Sequence, residues 1–427
     1  MKYCIIIIFI CLLIIISLIG AVVHLSINSM EKQEMDMVAD NFNKWGIDTT
    51  TPNTTKHGWL NLLNSTVSSR FANKFRPDIS LDCKEYMLKW TSAPYDPQGG
   101  NLYNPSVIHT PLSDGTRWVM FRNDNHVDTG WGDGTWRYSC ILSHMLSSGD
   151  IYFDNMVHEI EFYNSDGITR MDIALSLRSS NEKSPVIEDL RALPYVSDGR
   201  PCIVTGVAVT SYGGKGGGST KIAVFEAIFS SPRTTGDDLV VGDVDCSLKL
   251  RLVSYIDSPT DTNIEKNWQF IETPIKDHYS VFYDCVDGSI RNYKWKIGEN
   301  VLTAMKTHEL PYVSSWINDL ARNGSSDFRH TSITHVPNTN EIMLLMHKRD
   351  VFKQIYTFYC LYVDETTHKP IAFIPGRVLA DIGISVFFVM NVDITDKFVY
   401  VWSGIADQTG GVMTYDRTTW ESRKQYF

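Results

Sequence analysis

The chain has 427 residues, 43% of them hydrophobic, which is ample for a sizeable core in one large domain or two smaller ones. The formal net charge of -10 and the absence of any basic block exclude a nucleic-acid footprint. The aromatic share of 12% is read first as core and sheet surface, with some rings available to stack on sugars.

The first element is a membrane anchor. Residues 4–25 read CIIIIFICLLIIISLIGAVVHL, an almost unbroken apolar run. About 20 such residues span a bilayer. The run is longer than the apolar region of a cleaved signal peptide, so it predicts an uncleaved signal anchor. Lys2 precedes it, and Glu31, Glu34 and Asp36 follow it. The positive-inside rule then places the short tail in the cytoplasm. The expectation is a single-pass type II membrane protein whose head faces the secretory lumen or the outside. The Golgi, the endoplasmic reticulum, the cell surface and a virion membrane all satisfy it.

Two patterns agree with that compartment. Asn53-Thr54-Thr55, Asn64-Ser65-Thr66 and Asn323-Gly324-Ser325 match the N-glycosylation signal. Beyond the anchor stand Cys83, Cys140, Cys202, Cys246, Cys285 and Cys360, an even number that permits disulfides with the connectivity open. No Cys-x-x-Cys pair occurs, and neither a metal nor a cofactor is expected.

Residues 26–80 read as a polar stem. Met35, Val38, Phe42 and Trp45 fall at helical spacing, which predicts a helix over residues 30–45. From about residue 80 to the C-terminus, short strand-like runs alternate with Gly, Asp, Asn and Pro turns. Examples are RWVMFR (117–122), IAVFEAI (222–228), YSVFY (279–283), EIMLLM (341–346) and FVYVW (398–402). Long amphipathic patterns are nearly absent, so residues 81–427 are expected to be all-β. Polar residues beside an apolar strand recur near Asn104, Glu188, Lys266, Arg329 and Phe388, at intervals of roughly 60 to 85 residues. Five such units predict a five-bladed β-propeller on an N-terminal transmembrane helix and stem.

The most informative unit covers residues 188–209. It reads as two strands around a Ser197-Asp198-Gly199 turn, with Glu188, Asp189 and Arg191 in the first strand. In a propeller the first strand of each blade lines the central channel, so these charges would meet others there.

The sequence then resembles the five-bladed mannoside phosphorylases and their β-mannosyltransferase-like relatives, of the glycoside hydrolase family 130 type. Asn104-Pro105-Ser106-Val107 followed by Trp118-Val119-Met120-Phe121-Arg122 is similar to their first blade. Glu188-Asp189-Leu190-Arg191 is similar to the family's Glu-Asp-Pro-Arg, departing from it at Leu190. Glu265-Lys266-Asn267-Trp268 resembles the third blade. Residues 330–349 and 388–407 resemble the fourth and fifth. The resemblance implies a membrane-anchored enzyme that transfers or cleaves mannose-like groups, as a glycosyltransferase or a phosphorylase. It implies Asp189 as general acid, with Asn104 and Arg122 at the sugar and phosphate site and Lys266 on phosphate. Arg191, and His330 or His347, carry over as further binding residues. Its partners would be a carbohydrate substrate and phosphate or a sugar phosphate.

The chemistry has its own logic. Glycoside cleavage needs a protonated carboxyl to deliver a proton to the leaving oxygen, and a like-charged neighbour such as Glu188 raises a carboxyl pKa. An anionic partner needs fixed cations, and arginine offers a bidentate fork. Other motifs are weaker. The segment Asp128-Thr129-Gly130-Trp131-Gly132-Asp133-Gly134-Thr135-Trp136 lacks the residue order of a sialidase Asp-box and reads as a loop over the channel. Asp243-Val244-Asp245 lacks the α/β domain that a nucleotide-sugar Asp-x-Asp requires. The glycine-rich run at 213–218 is not a P-loop. His126 reads as a surface-loop histidine. The alternative function is a non-catalytic, glycan- or receptor-binding propeller of the attachment type.

Overall fold

The computed structural model describes residues 87–94, 101–109, 116–125, 135–154, 156–174, 184–194, 199–210, 220–229, 247–257, 259, 268–286, 289–305, 308–309, 329–350, 355–374, 387–405 and 409–427. The expected anchor, stem, stem helix and glycosylation signals lie outside these residues, as does Lys266.

The fold is a five-blade, propeller-like ring of sheets that are antiparallel except where the outer strand of blade 2, Glu161–Tyr163, runs parallel to its neighbour Leu248–Ile256. A first strand, β1 (Met87–Ser92), joins the last blade. Blade 1 comprises β2 (Asn101–Val107), β3 (Arg117–Asn125), β4 (Thr135–Met145) and β5 (Ile151–Phe153), with the short β6 (His158–Glu159) also on β4. Blade 2 begins with its outer-edge strand, β7 (Glu161–Tyr163). It continues through β8 (Val186–Ala192), β9 (Ile203–Val209), β10 (Thr220–Phe229) and β11 (Leu248–Ile256). Blade 3 holds β12 (Gln269–Glu272), β13 (His278–Val286), β14 (Ser289–Lys296), β15 (Thr303–Ala304) and β16 (His308–Glu309). Blade 4 holds β17 (Arg329–Val336), β18 (Glu341–Asp350), β19 (Ile355–Asp364) and β20 (Pro370–Ile374). Blade 5 holds β21 (Phe387–Ile394), β22 (Phe398–Ile405) and β23 (Thr409–Asp416). A five-residue helix, α1 (Arg417–Glu421), and β24 (Gln425–Tyr426) complete the chain. Among the described residues β13 of blade 3 pairs with β17 of blade 4 at Asp284↔Arg329, so the nine strands of these blades and β24 form one continuous ten-stranded ladder.

Each sheet is apolar on both faces because it is sandwiched between neighbours, and the sequence shows this as near-continuous rather than alternating apolar strands. In β9 every residue is buried. The core is accordingly divided into layers between blades. Trp118 and Met120 of blade 1 pack with Ile187, Val204 and Phe225 of blade 2. Val207 and Val224 of blade 2 pack with Phe270, Tyr279 and Trp295 of blade 3. Phe282 and Ile290 meet Leu344 and Leu361 between blades 3 and 4. Tyr400 and Trp402 meet Val119 and Phe121 between blades 5 and 1.

The first and last described strands latch the ring. β1 pairs antiparallel with β23, so the first strand of the domain completes the last blade. After β23, Asp416 caps α1 by accepting from the Thr419 backbone N–H at 2.8 Å. The helix buries Trp420, whose Nε1–H donates to Tyr362 Oη of blade 4 at 3.0 Å. β24 then pairs with β20 on the outer edge of blade 4. Each blade keeps only short edge strands, and these pairings cover part of them.

Candidate active site

The inner strands β2, β8, β12, β17 and β21 line the channel, and the five sequence units begin on or beside them. Four of them are broken by a register shift at matching places: Tyr103/Ser106, Glu188/Arg191, His330/Ser332 and Val389/Asn391. A bulge of this kind bends the strand and re-aims its side chains. The residue that resumes pairing is Ser106, Arg191, Ser332 or Asn391, and the first paired residue of β12 is Gln269. All five are buried and polar, which is the opposite of an ordinary core position. Two of these side chains stitch neighbouring blades together. Ser106 Oγ accepts from the Ala192 backbone N–H at 3.0 Å, and Ser332 Oγ accepts from the Val392 N–H at 2.9 Å.

Within the bulges of blades 1 and 2, Asn104 and Asp189 share one unusual conformation. Their φ angles are 51° and 50°, in the left-handed region that most side-chain-bearing residues avoid and that Asn and Asp enter most readily. Such backbones cost of order 1–3 kcal/mol each and persist where the surroundings hold them. The surroundings are visible. A Cβ on Gly404 of β22 would sit 2.3 Å from Asn104 Oδ1, so only glycine lets Asn104 lie there. A Cβ on Gly206 of β9 would sit 2.8 Å from Ile187 Cγ2, so glycine also backs the bulge that carries Asp189. Glu188 is buried, while its neighbour Asp189 keeps partial access to solvent.

Arg191 reaches across the channel. Its Nη1 donates to the Thr331 carbonyl of blade 4, and it lies 3.3 Å from the Met390 carbonyl of blade 5. Burial pushes its pKa down to about 10, with the charge of Asp189 working the other way. Its guanidinium also lies over the Phe388 ring, 5.8 Å from the centroid. The same ring meets His347 edge to face, with centroids 5.1 Å apart. Arg191, Phe388, Thr331 and His347 therefore form one cluster inside the channel.

The other expected site residues are placed as follows. Arg122 is on β3, the second strand of blade 1, with its guanidinium 5.5 Å from the Tyr103 ring centroid, beside Asn104. His330 is fully buried on β17, edge-on to Phe282 at 6.1 Å, in the packing between blades 3 and 4. Of the two histidines considered, His347 is the one that shares a ring with Arg191. Phe388 and Thr331 were missed by sequence reasoning, because an aromatic residue in an apolar strand gives no sign that a cation lies over it. Among the described residues no group of three His, Cys, Asp or Glu is placed to hold a metal.

Neither a protein-family model nor a curated protein sequence matches the chain. Solved structures resemble it at low identity. The β-1,2-mannobiose phosphorylase of Listeria innocua, solved with β-1,2-mannobiose, is 10% identical, with 77% of this chain and 94% of that one covered and a TM-score of 0.44. MPT-1, a GDP-Man-dependent mannosyltransferase of Leishmania mexicana, is 15% identical over 75% of this chain and 86% of that one, with a TM-score of 0.40. MPT-4, a mannose phosphorylase of the same organism solved with a phosphate ion, is 12% identical over 78% and 88%, with a TM-score of 0.38.

Proposed function

We infer that the protein is a membrane-anchored, carbohydrate-active enzyme that transfers or cleaves mannose-like glycosyl groups, with Asp189 as its general acid. The observation that carries this reading is the pairing of Asn104 and Asp189. They occupy matching bulges of adjacent inner strands in the same left-handed conformation, each backed by a glycine. Strained, non-glycine backbone of this kind collects at functional sites, where it aims a side chain that an ordinary strand would not.

In this reading Asp189 protonates the leaving glycosidic oxygen during cleavage, and during transfer from a phosphate-activated mannosyl donor it takes the proton of the acceptor hydroxyl as the phosphate leaves. Asn104 binds sugar hydroxyls. Arg122 and Lys266 hold phosphate or a sugar phosphate, for which charge-assisted bonds are the natural recognition. Arg191 and His330, or His347, shape the channel wall behind them. Residues 4–25 anchor the enzyme as a type II protein, residues 26–80 form its stem, and residues 81–427 form the propeller in the lumen or outside.

The test uses the full-length protein in detergent, supplied with mannose 1-phosphate, GDP-mannose, or β-mannosides plus phosphate. Product from the wild type that vanishes with Asp189→Asn supports the reading and identifies the donor. Glycan binding without turnover in either protein would replace it with an attachment-type propeller.

A further inference from the structure

We propose that the end of the channel where the inner strands finish is a second binding site, for a small, uncharged, hydroxyl-rich molecule such as a monosaccharide. A cavity of about 510 Å³ lies there, within the size range of small-molecule sites. All five inner strands end at it, through His109, Pro194, Glu272, His335 and Ile394. Five residues separate Asp189 from Pro194 along the chain, at most about 16 Å at roughly 3.3 Å per residue. Asp189 is not among the residues that line the cavity, so the two are separate sites.

The polar lining is arranged as acid–base pairs. Arg200 Nη1 is 3.6 Å from Glu272, His335 Nδ1 is 3.2 Å from Glu365, and His109 Nδ1 is 3.6 Å from Asp393. Three carboxylates disfavour an anion, and the guanidinium of Arg200 disfavours a cation. A hydroxyl suits both halves of each pair, because it donates to a carboxylate and accepts from an N–H. Pro194, Pro274 and Ile394 add apolar surface for the C–H face of a sugar ring.

An independent observation points to a ligand. His109 is 5% exposed, yet its Nε2 makes no hydrogen bond among the described residues. A buried polar atom left without a partner is costly, and the cavity is where a partner would sit.

The experiment is a histidine-selective NMR titration of the full-length protein in detergent, with D-mannose, inorganic phosphate and magnesium as separate probes. His109→Gln and His335→Gln assign the two ring signals. Both signals are expected to move with D-mannose, and not with phosphate or magnesium, in the wild type and equally in Asp189→Asn. Glu272→Gln should weaken the response about tenfold, the scale of one lost charge-assisted bond. Thr273→Trp, at the half-buried rim, should abolish it by filling the cavity. A response to phosphate or magnesium alone, no response to any probe, or a response unchanged by both Glu272→Gln and Thr273→Trp would overturn the proposal. Because Asp189→Asn is expected to lose turnover and keep this response, failure here is separate from failure of the proposed catalytic role.

Discussion

Arg117, the first residue of β3 in blade 1, donates a hydrogen bond to the carboxylate of Asp393 in β21 of blade 5. His109 approaches the other carboxylate oxygen at 3.6 Å. One buried acid thus ties the first blade to the last. Burial works to raise its pKa, but the nearby His109 and the hydrogen bond and charge of Arg117 hold it well below the usual carboxylate range. A folded-state pKa below the unfolded one gives stability that is complete above about pH 4 and is lost as the pH falls below it. The thermal midpoint of the wild type should drop steeply below about pH 4. Asp393→Asn should have a lower midpoint at neutral pH and a shallower acid limb. Parallel acid limbs in the two proteins would remove Asp393 from this role.

Histidine burial adds a second, milder effect at higher pH. Burial lowers the pKa of His335, with Glu365 opposing it. The native state therefore binds this proton less readily than the unfolded chain, and stability should decline as the pH falls through about 6.5. His335→Gln should flatten the midpoint between about pH 7 and 5 and leave the limb due to Asp393 in place. Urea midpoints across that range would detect the difference.

Gly404→Ala should injure the site more than the fold. The added Cβ would fall 2.3 Å from Asn104 Oδ1 and 2.9 Å from its backbone N. Overpacking of this kind typically costs about 1–3 kcal/mol. Since Asn104 is the nearest neighbour, the strain should appear as its displacement. The expected result is a kcat/KM at least about tenfold lower, the kinetic equivalent of about 1.4 kcal/mol, with an unchanged near-UV spectrum. Full activity in Gly404→Ala would mean that the position of Asn104 is not needed.

Arg191 is expected to hold the ring together as well as to shape the channel. It bridges carbonyls of blades 4 and 5 from blade 2. Arg191→Met leaves those buried acceptors without their donor and should cost about 2–4 kcal/mol in urea unfolding. Arg191→Lys should not recover the loss, because an ammonium cannot span two acceptors as a guanidinium does. A lysine variant as stable as the wild type would contradict this.

Much of the fold was legible because a propeller repeats itself. The five polar-plus-strand units near Asn104, Glu188, Lys266, Arg329 and Phe388 all fall on or just before inner strands, and the five quoted apolar runs all lie within β3, β10, β13, β18 and β22. Gly199 has the positive φ, 79°, expected of the turn after Asp198. The latches were not legible. β24 is a two-residue strand in a polar tail, and only its pairing with β20 gives it meaning. The bulges were hidden too, since a register shift depends on the partner strand. Glu188-Asp189-Leu190-Arg191 alone does not reveal that Asp189 is left-handed and that Arg191 is spent largely on carbonyls across the channel. The pairing of Asp393 with Arg117 spans most of the chain, and its one local trace is a charged residue inside the apolar run of β21.

The most direct test of the central claim is turnover by the full-length protein and by Asp189→Asn, with each mannosyl donor in turn. Loss of a positioned general acid typically costs about 100-fold to 10,000-fold in rate. A fall of that size is expected, with the folded state and the response of His109 and His335 to D-mannose preserved. A variant that turns over at the wild-type rate would contradict it, and would remove Asp189 from the chemistry.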